Sequence, residues 1–179
     1  MIYSKNIIKK WELWGIAWII IVGTLLHFTF EWSGDSKIVA LFSPVNESVW
    51  EHLKMSYWGV TSFMIIEHWF IKPYTNSFFI SKFIGVVAMN LFIVIVFYTY
   101  TSFMKESLII DIASFVIGAV ICQLIGIKIM NSRFSPAMEK LGLVMYLLMG
   151  MIFVVFTFYP PHIDLFMDSN SKTYGISIK

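Results

Sequence analysis

Four stretches of this chain, 13–30, 83–104, 112–127 and 141–161, contain no Asp, Glu, Lys or Arg. A bilayer-crossing α-helix needs about 20 predominantly apolar residues, within a range of about 17–25. Three of the runs meet that length, and 112–127 falls just short. Few other environments suit such sequence. The chain is 58% hydrophobic and 13% charged over 179 residues, whereas a soluble domain carries about 25% charged residues. The expected fold class is therefore all-α, a polytopic membrane helical bundle.

A fifth apolar run, 55–66, is too short alone, but Glu51-His52 and Glu67-His68 flank it. A helix over 48–70 would extend roughly 30 Å or more at 1.5 Å per residue, with an ionisable pair near each surface. Five transmembrane helices are expected, near 11–32, 48–70, 78–104, 107–130 and 138–160, in one membrane domain covering 1–179. A re-entrant or surface helix at 48–70 would leave four crossings.

Orientation follows from Lys and Arg, which accumulate on the cytoplasmic side. Lys5, Lys9 and Lys10 precede the first span, Lys72 and Lys82 separate the second and third, and Lys128, Arg133 and Lys140 separate the fourth and fifth. The opposite side carries Lys37, Lys54, Lys105, Lys172 and Lys179. The N-terminus is expected in the cytoplasm and the C-terminus outside. The net charge of +2 reflects this bias and calls for no nucleic-acid partner. The first apolar run exceeds the usual signal-peptide core and lacks a small-x-small cleavage pattern after it, so it reads as a retained span. The single cysteine, Cys122, allows neither an intramolecular disulfide nor a multi-thiolate metal site.

Ionisable groups within or beside membrane spans mark candidate sites, because lipid offers them little solvation. His27 and Glu31 are four residues apart and share a helix face at the outer end of the first span. The segment 43–54 holds Asn46, Glu47, Ser48, Glu51 and His52. Its Ser48-x-x-Glu51 spacing matches a capping box, which gives Glu51 an ordinary role at a helix start. Capping does not explain Glu47 or His52. After the last span, Pro160 and Pro161 end the helix, and His162, Asp164 and Asp168 follow; Leu165 and Phe166 predict that this segment folds back onto the bundle.

Three of the four histidines thus reach the outer side with carboxylates nearby, and Asp111 starts the fourth span at similar depth. Neutral imidazole with carboxylate suits a divalent metal such as zinc, iron or manganese. The expected ligands are His27, Glu31, His52, His162 and Asp164, with Glu47 or Glu51 as catalytic general base. There is no HExxH, so the ligands would come from separate segments. Glu67-His68 is expected on the cytoplasmic surface, and Asn90 and Gln123 join helices by hydrogen bonds.

Through His27-Phe28-x-x-Glu31-Trp32-Ser33-Gly34, the run from Pro44 to Lys54 containing Asn46-Glu47-Ser48-Val49-Trp50-Glu51-His52, and Pro160 to Asp168, the chain resembles an uncharacterised family of small prokaryotic integral membrane proteins. The resemblance implies a multipass protein of a prokaryotic plasma membrane and brings no activity or catalytic role with it. Two functional classes stay open. One is a metal-dependent hydrolase acting on a lipid or another amphiphile at the outer leaflet. The other is a non-enzymatic component that binds or transports a cation or polar solute.

Overall fold

The computed structural model describes residues 2–176, and its regular structure is all helix, with no strand among the described residues. Five long helices follow in order: α1 (Ile2–Trp32), α2 (Val49–Ile71), α3 (Phe78–Thr101), α4 (Leu108–Met130) and α5 (Pro136–Phe158). Three short 3-10 turns, Val39–Leu41, Lys72–Tyr74 and Asp164–Phe166, lie between or after them. Helices α1, α3, α4 and α5 are long and apolar enough to cross a membrane. Helix α2 has 23 residues, as α4 and α5 do, but its ionisable residues make it less apolar.

The arrangement explains that difference. Helix α3 packs most extensively on α4 and also on α5, while α1 packs on α2 and α4, and α2 also meets α3. Helix α2 buries residues along its length, from Glu51, Lys54 and Tyr57 through Val60 and Phe63 to Glu67. A central apolar cluster joins Ile19, Leu53, Tyr57, Met89, Cys122 and Phe153. Large apolar side chains such as Ile21, Leu91, Ile95, Leu147 and Ile152 are exposed on the outside of the bundle. In water such a surface would aggregate; in a bilayer it is the contact face.

Local chemistry fixes several helix ends. Ser48 caps α2, its hydroxyl accepting the Glu51 N–H at 3.3 Å, and Ser135 caps α5 through the Met138 N–H at 3.3 Å, followed by Pro136 in the first turn. The start of α3 is capped from another helix: the Glu139 carboxylate accepts the N–H groups of Phe78, Phe79 and Ile80 at 3.1–3.3 Å. Lys72 neutralises that carboxylate at 2.9 Å. The two helices approach closely there, since a Cβ on Gly142 would lie 2.4 Å from Ile80 Cα.

Three placements depart from the sequence reading. Glu67 is fully buried and not on a surface, and Lys82 reaches it there from α3 at 2.5 Å. Lys82 itself lies inside α3 and is buried, so it belongs to no loop. Lys54 is likewise buried in α2, held by Glu51 at 2.5 Å. The basic bias survives these corrections, with Lys5, Lys9, Lys10, Lys128, Arg133 and Lys140 exposed at one end.

Candidate metal centre

At the opposite end, the 33–48 segment turns back over α1. Gly34 and Asp35 take left-handed backbone conformations, with φ of 68° and 61°, which glycine and aspartate tolerate best. Ser43 then fastens the segment to α1, donating to the Leu26 carbonyl at 2.5 Å and accepting the Phe30 N–H at 3.0 Å. This anchorage carries Glu47 to the last turns of α1, beside the first turn of α2.

There His27, Glu47 and His52 converge. The Nε2 atom of His27 lies 3.8 Å from Glu47 Oε1, and that of His52 lies 3.5 Å from Glu47 Oε2. One ligating atom from each of the three lies within 4.8 Å of the other two. Ligands about 2.0–2.1 Å from a tetrahedral zinc are separated by about 3.3 Å, from the geometry of the tetrahedron. The two Glu47 contacts, to different oxygens, are somewhat longer than that value and too long for good hydrogen bonds, while the set as a whole is held within 4.8 Å.

The imidazole of His52 is oriented for ligation. Its Nδ1 lies 2.9 Å from the Ser48 carbonyl, an acceptor only, so Nδ1 donates there and, whenever the ring is neutral, Nε2 is the bare ligating nitrogen. This backbone contact is the usual second-sphere device that fixes a metal-binding histidine. The rings of His27 and His52 are 5.5 Å apart. Side-chain exposures of 28%, 44% and 32% for His27, Glu47 and His52 leave the cluster open to water. The His52 imidazole holds the Glu47 carboxyl below its usual range, against the opposing effect of partial burial.

The chain beyond α5 closes over this end. Phe166 is buried against Trp50, with ring centroids 4.6 Å apart, as its apolar character predicts. The carboxylate of Asp168 accepts the N–H groups of Glu47, Asn170 and Ser171 at 3.2, 2.7 and 2.8 Å. Burial pushes this carboxyl up, but the backbone donors from Ser171, Glu47 and Asn170 outweigh it and leave it below the ordinary value. Asp168 therefore positions the backbone of Glu47.

The other sequence candidates lie elsewhere. Glu31 is exposed one turn beyond His27 and outside the cluster. His162 and Asp164 are exposed, and the His162 ring packs tilted against Tyr174 with centroids 4.5 Å apart. Asp111 accepts the Tyr100 hydroxyl at 2.8 Å. Glu51 points inward: one oxygen accepts the Val45 N–H at 3.1 Å and meets Lys54 Nζ at 2.5 Å, while the other accepts the Thr157 hydroxyl at 3.2 Å. Lys54 also donates to the Ala40 carbonyl and Thr157, each at 2.9 Å. This network joins α2, the 33–48 segment and α5, and it occupies the carboxylate expected to act as a base.

A family described as of unknown function, DUF6512, matches residues 1–176. The chain belongs to that family. No curated protein and no solved structure matches it. The DUF6512 description names no activity, so any functional reading rests on the residues themselves.

Sequence reasoning missed the tethering role of Asp168 on the Glu47 backbone and the interhelical role of Lys54. It also missed a second buried ionic group, formed by Glu12, Glu67 and Lys82 at the other end of the bundle. A signal was available in Glu12 and Lys82, each one of few charges within an apolar helix.

Proposed function

We propose that this protein is a multipass protein of a prokaryotic plasma membrane that binds a divalent transition-metal ion at its extracytoplasmic face through His27 Nε2, Glu47 and His52 Nε2. The observation that carries the reading is the convergence of these side chains from α1, the 33–48 segment and α2, with one ligating atom of each within 4.8 Å of the other two. The donor set also fits: two imidazoles and a carboxylate match zinc well and are compatible with iron or manganese. In this reading α2 is the fifth crossing, and the exposed basic residues at the α1 start, α4 end and α5 start face the cytoplasm.

Three protein ligands would leave a further coordination position for water. That geometry, together with the site's exposure, favours as a second reading a hydrolase acting on a lipid or amphiphile, with metal-bound water as nucleophile. The closed Glu51–Lys54 pair weighs against Glu51 as its base, so cation binding is the better-supported function.

The test is elemental analysis of the purified protein after dialysis against each divalent metal. Near-stoichiometric metal in wild type, lost in His52→Ala and in Glu47→Gln, supports the reading. Metal-free protein after saturation, or equal metal in the variants, refutes it. Cysteine labelling near Ser36 and Arg133 separately tests orientation; labelling of Ser36 from the cytoplasm would reverse it.

A further inference from the structure

At the end of the bundle remote from His27 and His52, two carboxylates share one ammonium inside the helix packing. Lys82 Nζ lies 2.6 Å from Glu12 Oε1 and 2.5 Å from Glu67 Oε2, and the three side chains are 0–1% exposed. They come from α1, α2 and α3. The two carboxyl groups thus meet across a single ammonium. Among the described residues, the charged groups that act most on these carboxyls are each other and Lys82, and the thiol of Cys122 on α4 is a further ionisable neighbour.

Fully ionised, this group would hold one uncompensated negative charge. Burying such a charge is costly enough that a carboxyl group normally neutralises instead. Two carboxylates confined together resolve their repulsion by sharing a proton, and the proton then belongs to the pair. Two further features indicate a built site. Glu12 Oε2 and Glu67 Oε1 are buried without a hydrogen-bond partner, so acceptor sites remain. Gly126 on α4 makes room for them, since a Cβ there would come within 2.6 Å of Glu12 Oε2.

We propose that Glu12 and Glu67 together bind one exchangeable proton, with Lys82 as the fixed countercharge. Binding forms one carboxyl O–H bond with a proton from water at the Lys5 and Lys128 end of the bundle, and release returns it there. The loaded site is electrically neutral and can donate the new hydrogen bond from one carboxyl to the other. Glu67 is fifteen residues from His52, about 22 Å along α2, so the site is separate from the metal centre and independent of it.

The test is infrared spectroscopy of the purified protein in lipid nanodiscs, with glutamate carboxyls selectively labelled with carbon-13. At neutral pH, wild type is expected to show a protonated glutamic-acid carbonyl band that shifts in deuterated water and disappears reversibly at high pH. Solvent-exposed glutamates are ionised under these conditions and do not contribute. Glu12→Gln and Glu67→Gln should each abolish the band, because one remaining carboxylate balances Lys82. Absence of the band in wild type would overturn the proposal. So would its persistence in both variants, or its appearance only when sodium and potassium are replaced by a large organic cation, which would assign the site to a metal cation. If a variant fails to fold, the wild-type band decides by its pH response: one that does not fall on raising the pH refutes exchange.

Discussion

Removing one partner of the Glu51–Lys54 pair should destabilise the protein far more than removing both. The two side chains are 3% and 0% exposed and 2.5 Å apart. In Lys54→Met, Glu51 would keep only the Val45 N–H and the Thr157 hydroxyl around a buried negative charge. In Glu51→Gln, Lys54 would keep the Ala40 carbonyl and Thr157 around a buried positive one. Breaking a buried pair from one side costs about 3–5 kcal/mol. At 1.4 kcal/mol per factor of ten, that is about two to three and a half powers of ten in the unfolding equilibrium. The double variant buries no charge, and replacing both members of such a pair is often nearly neutral. It should therefore unfold with a smaller loss than either single variant. Reversible unfolding in mixed detergent micelles, followed by tryptophan fluorescence with metal content measured in parallel, gives the complete cycle. A double variant whose loss equals the sum of the single losses would refute the anchoring role. Loss of metal in Glu51→Gln without loss of stability would instead return Glu51 to the metal centre.

His27→Ala should lower metal affinity by more than the roughly 10–100-fold typical of losing an outer-sphere partner, whereas Glu31→Ala and His162→Ala should leave it unchanged in equilibrium dialysis. Glu47 and Asp168 have carboxyls held below their ordinary values of 4.5 and 3.8. Their stabilising contribution should be complete above those values and fall away as pH drops through the lower folded-state values; proteolysis of the 160–176 segment against pH reads this, and loss of protection on raising the pH would contradict it. Glu139→Ala should cost about 1–3 kcal/mol, because three N–H groups at the start of α3 lose their acceptor. Glu139→Gln should recover part of that loss in the same unfolding assay, since its amide oxygen still accepts.

The helices were legible because long uncharged runs have few folded alternatives to a membrane span. The start of α2 was legible in Ser48 and the surrounding cap residues, although only half of the capping box forms: the Glu51 carboxylate accepts from Val45, while Asn46 accepts the Ser48 N–H at 2.9 Å. His27 and His52 were recognisable by residue type and depth. What sequence could not specify was side-chain direction after a turn. His162 and Asp164 have the same residue types as the cluster, yet the turn after α5 leaves them exposed. A small loop closed by the Asp168 N–H to the Thr173 carbonyl at 2.9 Å brings Asp168 inward instead. Lys54 and Lys82 were read as topology markers because a lysine near a span end usually reaches water. Only the packed helices reveal that each reaches a carboxylate.

Those lysines bear on the proposed fifth crossing. Summing residue hydropathies treats each ionisable group on α2 as if lipid had to solvate it, and a charge near a span centre costs about 2.5–3.5 kcal/mol on insertion scales. In the bundle the environment differs. Lys54 neutralises Glu51 within the same helix, Lys82 reaches Glu67 from α3, and His52 faces Glu47 from the preceding segment. Lipid instead meets the apolar faces of the surrounding helices. The same residues that lower the hydropathy of α2 bind it to its neighbours, so α2 is the helix whose insertion would depend most on the others. Its ionic contacts also concentrate at opposite ends, separating a water-accessible histidine centre from an enclosed carboxylate pair. Loss of either group of contacts should therefore weaken the seating of α2 before it affects α3 or α4, whose mutual packing is extensive and largely apolar.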